Sequence, residues 1–213
     1  MNRFFSLLFG VAIIVAGMND PCHAGRSSFH DNFNKGDADG WIYASRDGRV
    51  NDPASSWSVV DGRLLEDSGY DAQMALVENI PFKSQTLVVQ ADILAWAGII
   101  LWYKDLNNYI AMGSYGSGAA IYVGEYFNGI ASGGTYPHIG SPSVSPIYEF
   151  KVDANSETGN IDFYVNGLYQ FTYTAQTNVR TGLSGLVGRN GGGYFDNFEV
   201  TSLKSPPPRH PPR

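Results

Sequence analysis

The chain has 213 residues, with 14 Lys and Arg against 20 Asp and Glu, a net charge of -6 and 43% hydrophobic residues. That is a poor balance for holding nucleic acid, which rewards a clustered basic surface, and the apolar content is that of a chain able to bury a core. With a single cysteine the chain cannot close an internal disulfide, so stability has to come from burial, aided at most by a metal.

Met1 to Ala24 has the parts of a secretory signal. Arg3 supplies the positive n-region, Phe4 to Gly17 the apolar h-region, and Cys22-His23-Ala24 ends in the small residue that signal peptidase requires. Cleavage is expected after Ala24, the alternative being an uncleaved N-terminal anchor. The run is short for a spanning helix, and no later segment is apolar enough to cross a membrane. The expected product is secreted, periplasmic or extracellular, without membrane contact once the leader is gone. Removing 24 residues from 213 leaves 189 and takes away Cys22, Arg3 and Asp20, so the net charge stays at -6. One domain is expected over 25–203.

Two short segments frame it. F-H-D-N-F (29–33) opens the ordered chain and Y-F-D-N-F (194–198) nearly closes it. Side chains two apart on a strand share a face, which groups Asp31 with Phe29 and Phe33, and Asp196 with Tyr194 and Phe198. If the aromatics face the core, both carboxylates do too.

From residue 57 onward apolar residues recur at period two. Leu87, Val89, Ala91 and Ile93 make one apolar face, as do Tyr148, Phe150 and Val152, and Ile161, Phe163 and Val165. These are half-buried strands of antiparallel sheet. Asn166-Gly167 and Asp61-Gly62 fall between such runs and favour the φ > 0 conformations of two-residue hairpin turns. No window carries a helical stripe with caps. About a dozen short strands predict an all-β sandwich or barrel. The ending S-P-P-P-R-H-P-P-R (205–213) makes 204–213 a Pro-rich tail outside the fold, a linker remnant or a docking segment.

Several stretches together resemble the concanavalin A-like or laminin G-like jelly rolls. They are F-H-D-N-F with the following D-A-D-G-W, W-S-V-V-D-G-R-L (57–64), A-G-I-I-L-W-Y-K-D-L-N-N-Y (97–109), F-K-V-D with I-D-F-Y-V-N-G (150–167), and G-L-V-G-R-N-G-G-G-Y-F-D-N-F-E-V (185–200). The resemblance runs from about residue 28 to 202 and implies a jelly-roll sandwich of two antiparallel sheets. It also implies that first and last strands lie side by side, which would bring Asp31 and Asp196 together. Two unpaired carboxylates there would repel and be costly to desolvate. The loop N-K-G-D-A-D-G (34–40) adds Asp37 and Asp39, hard oxygen ligands that suit Ca²⁺, and the resemblance implies a structural calcium at this edge. The alternative is that Asp31 and Asp196 accept backbone N–H bonds, with Asp37 and Asp39 solvated turn residues.

No catalytic residue is assigned. The E-x-D-x-x-E pattern of family 16 glycoside hydrolases is absent, as are the R-x-E and Q-I-H stretches of jelly-roll polysaccharide lyases, and His138 reads as a loop residue. Aromatic supply is the stronger signal. Alternation groups Trp96 with Gln90 and Asp92, and Trp102 with Ile100 and Lys104, while Tyr122 and Tyr126 lie opposite Val123 and Glu125. A concave face lined by Trp96, Trp102, Lys104, Tyr122 and Tyr126 would suit a poly- or oligosaccharide, with packing the alternative for any one aromatic. Trp41 and Trp57 are expected in the core. The leading expectation is a secreted, non-catalytic, lectin-like carbohydrate-binding domain. A structural or adhesive domain binding a protein partner is the first alternative, and a hydrolase or lyase of unrecognised type the second.

Overall fold

The computed structural model describes residues 28–115, 120–137 and 147–203. The expected leader, the Pro-rich tail and His138 lie outside the described residues.

Fifteen strands and one short 3₁₀ turn, Pro53–Ser56, make up the described chain. The strands are β1 (Ser28–Asp31), β2 (Trp41–Ser45), β3 (Trp57–Val60), β4 (Arg63–Glu66), β5 (Gln73–Val77), β6 (Gln85–Ile93), β7 (Trp96–Asp105), β8 (Asn108–Tyr115), β9 (Ala120–Phe127), β10 (Ile130–Pro137), β11 (Ile147–Ala154), β12 (Asn160–Val165), β13 (Leu168–Thr174), β14 (Leu183–Arg189) and β15 (Gly193–Ser202). They form two antiparallel sheets. One has eight strands, in the order β13-β12-β11-β6-β15-β4-β3 with β1 also on β15, and the other has seven, β10-β9-β8-β7-β14-β5-β2. This is the expected jelly-roll sandwich.

The period-two faces become the core between the sheets. Leu87, Val89, Ala91, Phe150, Val152, Ile161 and Phe163 are fully buried from the eight-stranded side, and Ala75, Ala97, Ile99, Met112, Ile121 and Val123 from the other. Trp41 and Trp57 join them. Both expected hairpin dipeptides adopt φ > 0 at each residue: 51° and 70° at Asp61-Gly62, 50° and 75° at Asn166-Gly167.

First and last strands pair, with Ser28 opposite Thr201 and Asp31 opposite Phe198. β4 and β1 share one side of β15, β4 along Gly193–Phe195 and β1 along Phe198–Thr201, with β6 on the other side. Between those halves the register shifts, and Asn197 sits at φ 49°. That bulge breaks alternation. Phe195, Phe198 and Val200 point into the core, whereas Asp196 does not share a face with Phe198. It lines a depression on the outer side of the sheet with Arg63, Gln90 and Asp92.

A second bulge lies in β7, where Trp102 has φ 52° and the register with β8 shifts after Leu101. Leu101 and Trp102 both enter the core, and the Trp102 indole donates to the Lys83 carbonyl at 2.8 Å. A further correction concerns Trp96. Gln90 and Asp92 belong to β6 and Trp96 to β7, in the opposite sheet, so the crossing at Leu94-Ala95 cancels the face they were expected to share.

Candidate functional site

The outer face of the seven-stranded sheet carries a second apolar cluster, built from Met74, Leu76, Trp96, Ile100, Tyr109, Ala111 and Val187, with Tyr103, Tyr122 and Tyr126 packed against it. A face turned to water would ordinarily be polar, so this one is the place to look for a ligand. Small residues make its floor. Gly98 and Gly113 oppose each other across β7 and β8, and a Cβ on Gly98 would lie 2.7 Å from the Gly113 Cα, so the strands approach too closely for side chains. Gly124 leaves room for the Tyr122 and Tyr126 rings on either side, each 3.1 Å from where its Cβ would be.

Aromatics surround this floor. Trp96 meets Tyr122 edge-on, with centroids 6.3 Å apart, and Tyr109 stacks on its cross-strand partner Tyr126 at 4.5 Å. The guanidinium of Arg46, just beyond β2, lies 4.1 Å over the Tyr126 ring, and its Nη1 donates to the Tyr109 hydroxyl at 3.4 Å. Asp71, just before β5, pairs with Arg189 at the end of β14, directly across from Trp96. The Arg189 Nε–H sits in ionic contact with Asp71 without the alignment of a hydrogen bond. Asp71, Trp96, Tyr109, Tyr122, Tyr126 and Arg189 line a shallow depression of about 20 Å³, roughly one water's worth of space.

Burial raises the Tyr109 pKa well above that of an ordinary tyrosine, aided by Tyr126 and opposed by Arg46, so its hydroxyl keeps its proton. Burial works against the charge of Arg46, but Tyr109 and Tyr126 outweigh it and hold its pKa above the ordinary arginine value.

Of the residues expected to bind sugar, Trp96, Tyr122 and Tyr126 are brought together. Trp96 is only 3% exposed and forms a wall of the site. Tyr126 is in contact with Tyr109 and with the Arg46 guanidinium, and both it and Tyr122 are half-exposed. Trp102 is a correction: it is fully buried between the sheets, because the bulge reverses its direction. Tyr103 takes the place on the face, against Tyr109 at 6.0 Å. Lys104 is exposed beside the β7–β8 turn and does not line the depression. Arg46, Asp71, Tyr109 and Arg189 were missed, since only the fold brings them together.

The expected calcium ligands divide between two places. Asp31 accepts the Phe33 N–H at 2.8 Å on Oδ1 and the Trp41 indole N–H at 2.8 Å on Oδ2. It sits among Phe29, Phe33, Trp41 and Phe198, whose rings pack on one another. Asp37 and Asp39 are exposed and line a loop depression with Asp31 and the cation of Lys35. Asp196, on the outer side of the sheet, accepts the Asn197 N–H at 2.7 Å. Asp31 and Asp196 thus line separate depressions, and among the described residues no three His, Cys, Asp or Glu side chains converge as a metal site.

No protein-family model matches the chain, and no curated protein does either. Solved structures do. They include a carbohydrate-binding module, CBM66, from Bacillus subtilis (TM-score 0.56, 15% identity, covering 76% of this chain and 92% of that one). A Bacillus licheniformis β-glucanase matches at TM-score 0.56 and 16% identity, over 84% of this chain and 98% of its own. A Bacillus subtilis protein of unknown function with a galectin-like fold matches at 0.59 and 10%, over 83% and 96%. The chain therefore shares the jelly-roll sandwich fold of these structures. At these identities the likeness concerns the fold alone.

Proposed function

We propose that this protein binds a glycan on the outer face of the seven-stranded sheet and does not cleave it. The observation that carries the reading is the convergence of Trp96, Tyr109, Tyr122 and Tyr126 with Arg46, Asp71 and Arg189 on an otherwise apolar face. Ligand sites typically combine an apolar, aromatic lining with a few placed polar groups. Sugar rings offer C–H faces to the former and hydroxyls to the latter. The half-exposed Tyr122 offers a ring face to a sugar, and the ion pair of Asp71 and Arg189 supplies an acceptor and a donor near it. A shallow depression suits the flank of an extended chain better than an enclosed small molecule. The carbohydrate-binding module among the structural neighbours supports the fold's capacity for this role.

Glycoside cleavage uses two carboxyl groups flanking the scissile bond. Asp71 is the carboxylate among the described residues lining the depression, and Arg189 holds it, which favours binding over hydrolysis. A glycan array followed by calorimetry tests the proposal. Expected are binding to at least one polysaccharide, weakening on Tyr122→Ala, and no release of reducing ends. Release of reducing sugar from a bound glycan would return the reading as a hydrolase or lyase of unrecognised type. We further infer that the protein acts after export, and sequencing of the mature N-terminus, expected to begin at Gly25, tests that.

A further inference from the structure

We infer that the glycan carries an anionic group, a carboxylate or a sulfate, and that Arg46 receives it; this rests on the reading of the face as a glycan site. Arg46, Asp47, Arg49, Asp71 and Arg189 stand near one another at this end of the sheet. Four of them are matched, Arg49 with Asp47 and Arg189 with Asp71. Arg46 has no carboxylate partner among the described residues. Its guanidinium carbon lies 4.1 Å from the centre of the Tyr126 ring, and the Tyr109 hydroxyl takes one of its N–H groups. A guanidinium has five N–H donors, so others remain for a ligand, and its planar fork matches the paired oxygens of a carboxylate or sulfate. The contacts with Tyr126 and Tyr109 also restrain its orientation beforehand, so less freedom is lost when a ligand arrives.

A second observation points the same way. Trp96 lines the depression, is 3% exposed, and its indole N–H has no acceptor among the described residues. Leaving a buried donor unanswered is costly. The site thus offers more donors than acceptors, which suits a ligand group rich in acceptor oxygens. The chain as a whole carries a net charge of -6, so an acidic polymer gains nothing from the overall field and has to be recognised locally.

The test compares polymers of matched linkage by calorimetry on the full chain: cello-oligosaccharides against β-1,4-glucuronan, mannan against mannuronan, and galactan against sulfated galactan. The anionic member of at least one pair is expected to bind about tenfold tighter or more, as a charge-assisted bond implies. Rising salt should erode that margin and leave neutral binding alone. In Arg46→Gln the ratio should fall to within about threefold, with thermal melting recording whether the variant is folded. The uronate and sulfate arms tell which anion is read. Equal binding of neutral and anionic members, or a preference that survives Arg46→Gln, overturns this inference and leaves glycan binding standing. Binding to no glycan overturns both. Should Arg46→Gln not fold, the wild-type ratio and its salt dependence still decide.

Discussion

The Tyr173 hydroxyl donates to Glu125 Oε2 at 2.5 Å, and that one bond ties β13 of one sheet to β9 of the other. Glu125 is fully buried and also accepts the backbone N–H groups of Gln176 at 2.9 Å and Thr177 at 2.8 Å, so it pins the segment leaving β13 as well. Hydrogen bonds to a charged group are each worth about 1.5–3 kcal/mol. Tyr173→Phe is expected to cost an amount in that range, and Glu125→Ala more, because the buried Thr177 N–H and the part-buried Gln176 N–H lose their acceptor as well. Chemical denaturation of the two variants measures both. A Glu125→Ala variant as stable as the wild type would show that the bridge carries no weight.

Asp31 makes a prediction about metal. Its two bonds, to Phe33 N–H and Trp41 Nε1, hold the aromatic cluster where the first strand meets the last. Asp31→Ala should therefore lower stability by about 1–3 kcal/mol, by the same amount with chelator as with added calcium. The wild type should melt alike in both. A wild-type melting temperature that drops in chelator would bring calcium back to the 34–40 loop.

Glu66 predicts a pH dependence. It is fully buried and accepts the Gly192 N–H at 2.5 Å and the Ser68 N–H at 3.0 Å, yet desolvation outweighs these bonds and raises its pKa from 4.5. A carboxyl whose folded pKa is raised binds more protons folded than unfolded between the two values, so stability falls as pH rises through that window. Glu66→Gln removes the titration. The melting temperature of wild type minus variant should be largest below about pH 4.5 and shrink as pH rises through the raised value. A difference that grows with pH would overturn the assignment.

Trp102 and Tyr122 should behave oppositely. Trp102→Ala empties the core beside Lys83 and is expected to cost about 3–5 kcal/mol, while Tyr122→Ala, at the half-exposed rim, should weaken glycan binding with little change in melting. The pair of variants, melted and titrated side by side, separates the core aromatic from the site aromatic.

The sequence made strands legible where two simple rules operate without interruption. β6, β11 and β12 alternate cleanly because one face is core and the other water, and the Asn-Gly and Asp-Gly turns declare their φ > 0 residues. Alternation failed at the bulges. Asn197 carried a readable hint, since Asn after Asp tolerates the left-handed region, but nothing local announces that a tryptophan will adopt it. Trp102 does so because the core and the Lys83 carbonyl hold it there. Parity was also carried across Leu94-Ala95, where the chain changes sheets. In the candidate site, Tyr122 and Tyr126 were visible because they share one uninterrupted strand. Arg46, Asp71 and Arg189 lie on separate strand ends and meet only through long-range pairing, which a single sequence does not display.

The pairing of β1 with β15 has a consequence for how the chain can be rewired. Ser28 lies opposite Thr201 on adjacent strands, so a linker of a few residues can join the two ends of the sandwich without crossing any other element. A circularly permuted chain, sealed there and opened at the exposed turn of Asn166-Gly167, keeps every strand neighbour while giving β12 and β13 the new termini. The chain can in this sense be closed into a covalent ring through its terminal strands, and the order in which its strands are synthesised is separable from the face they build.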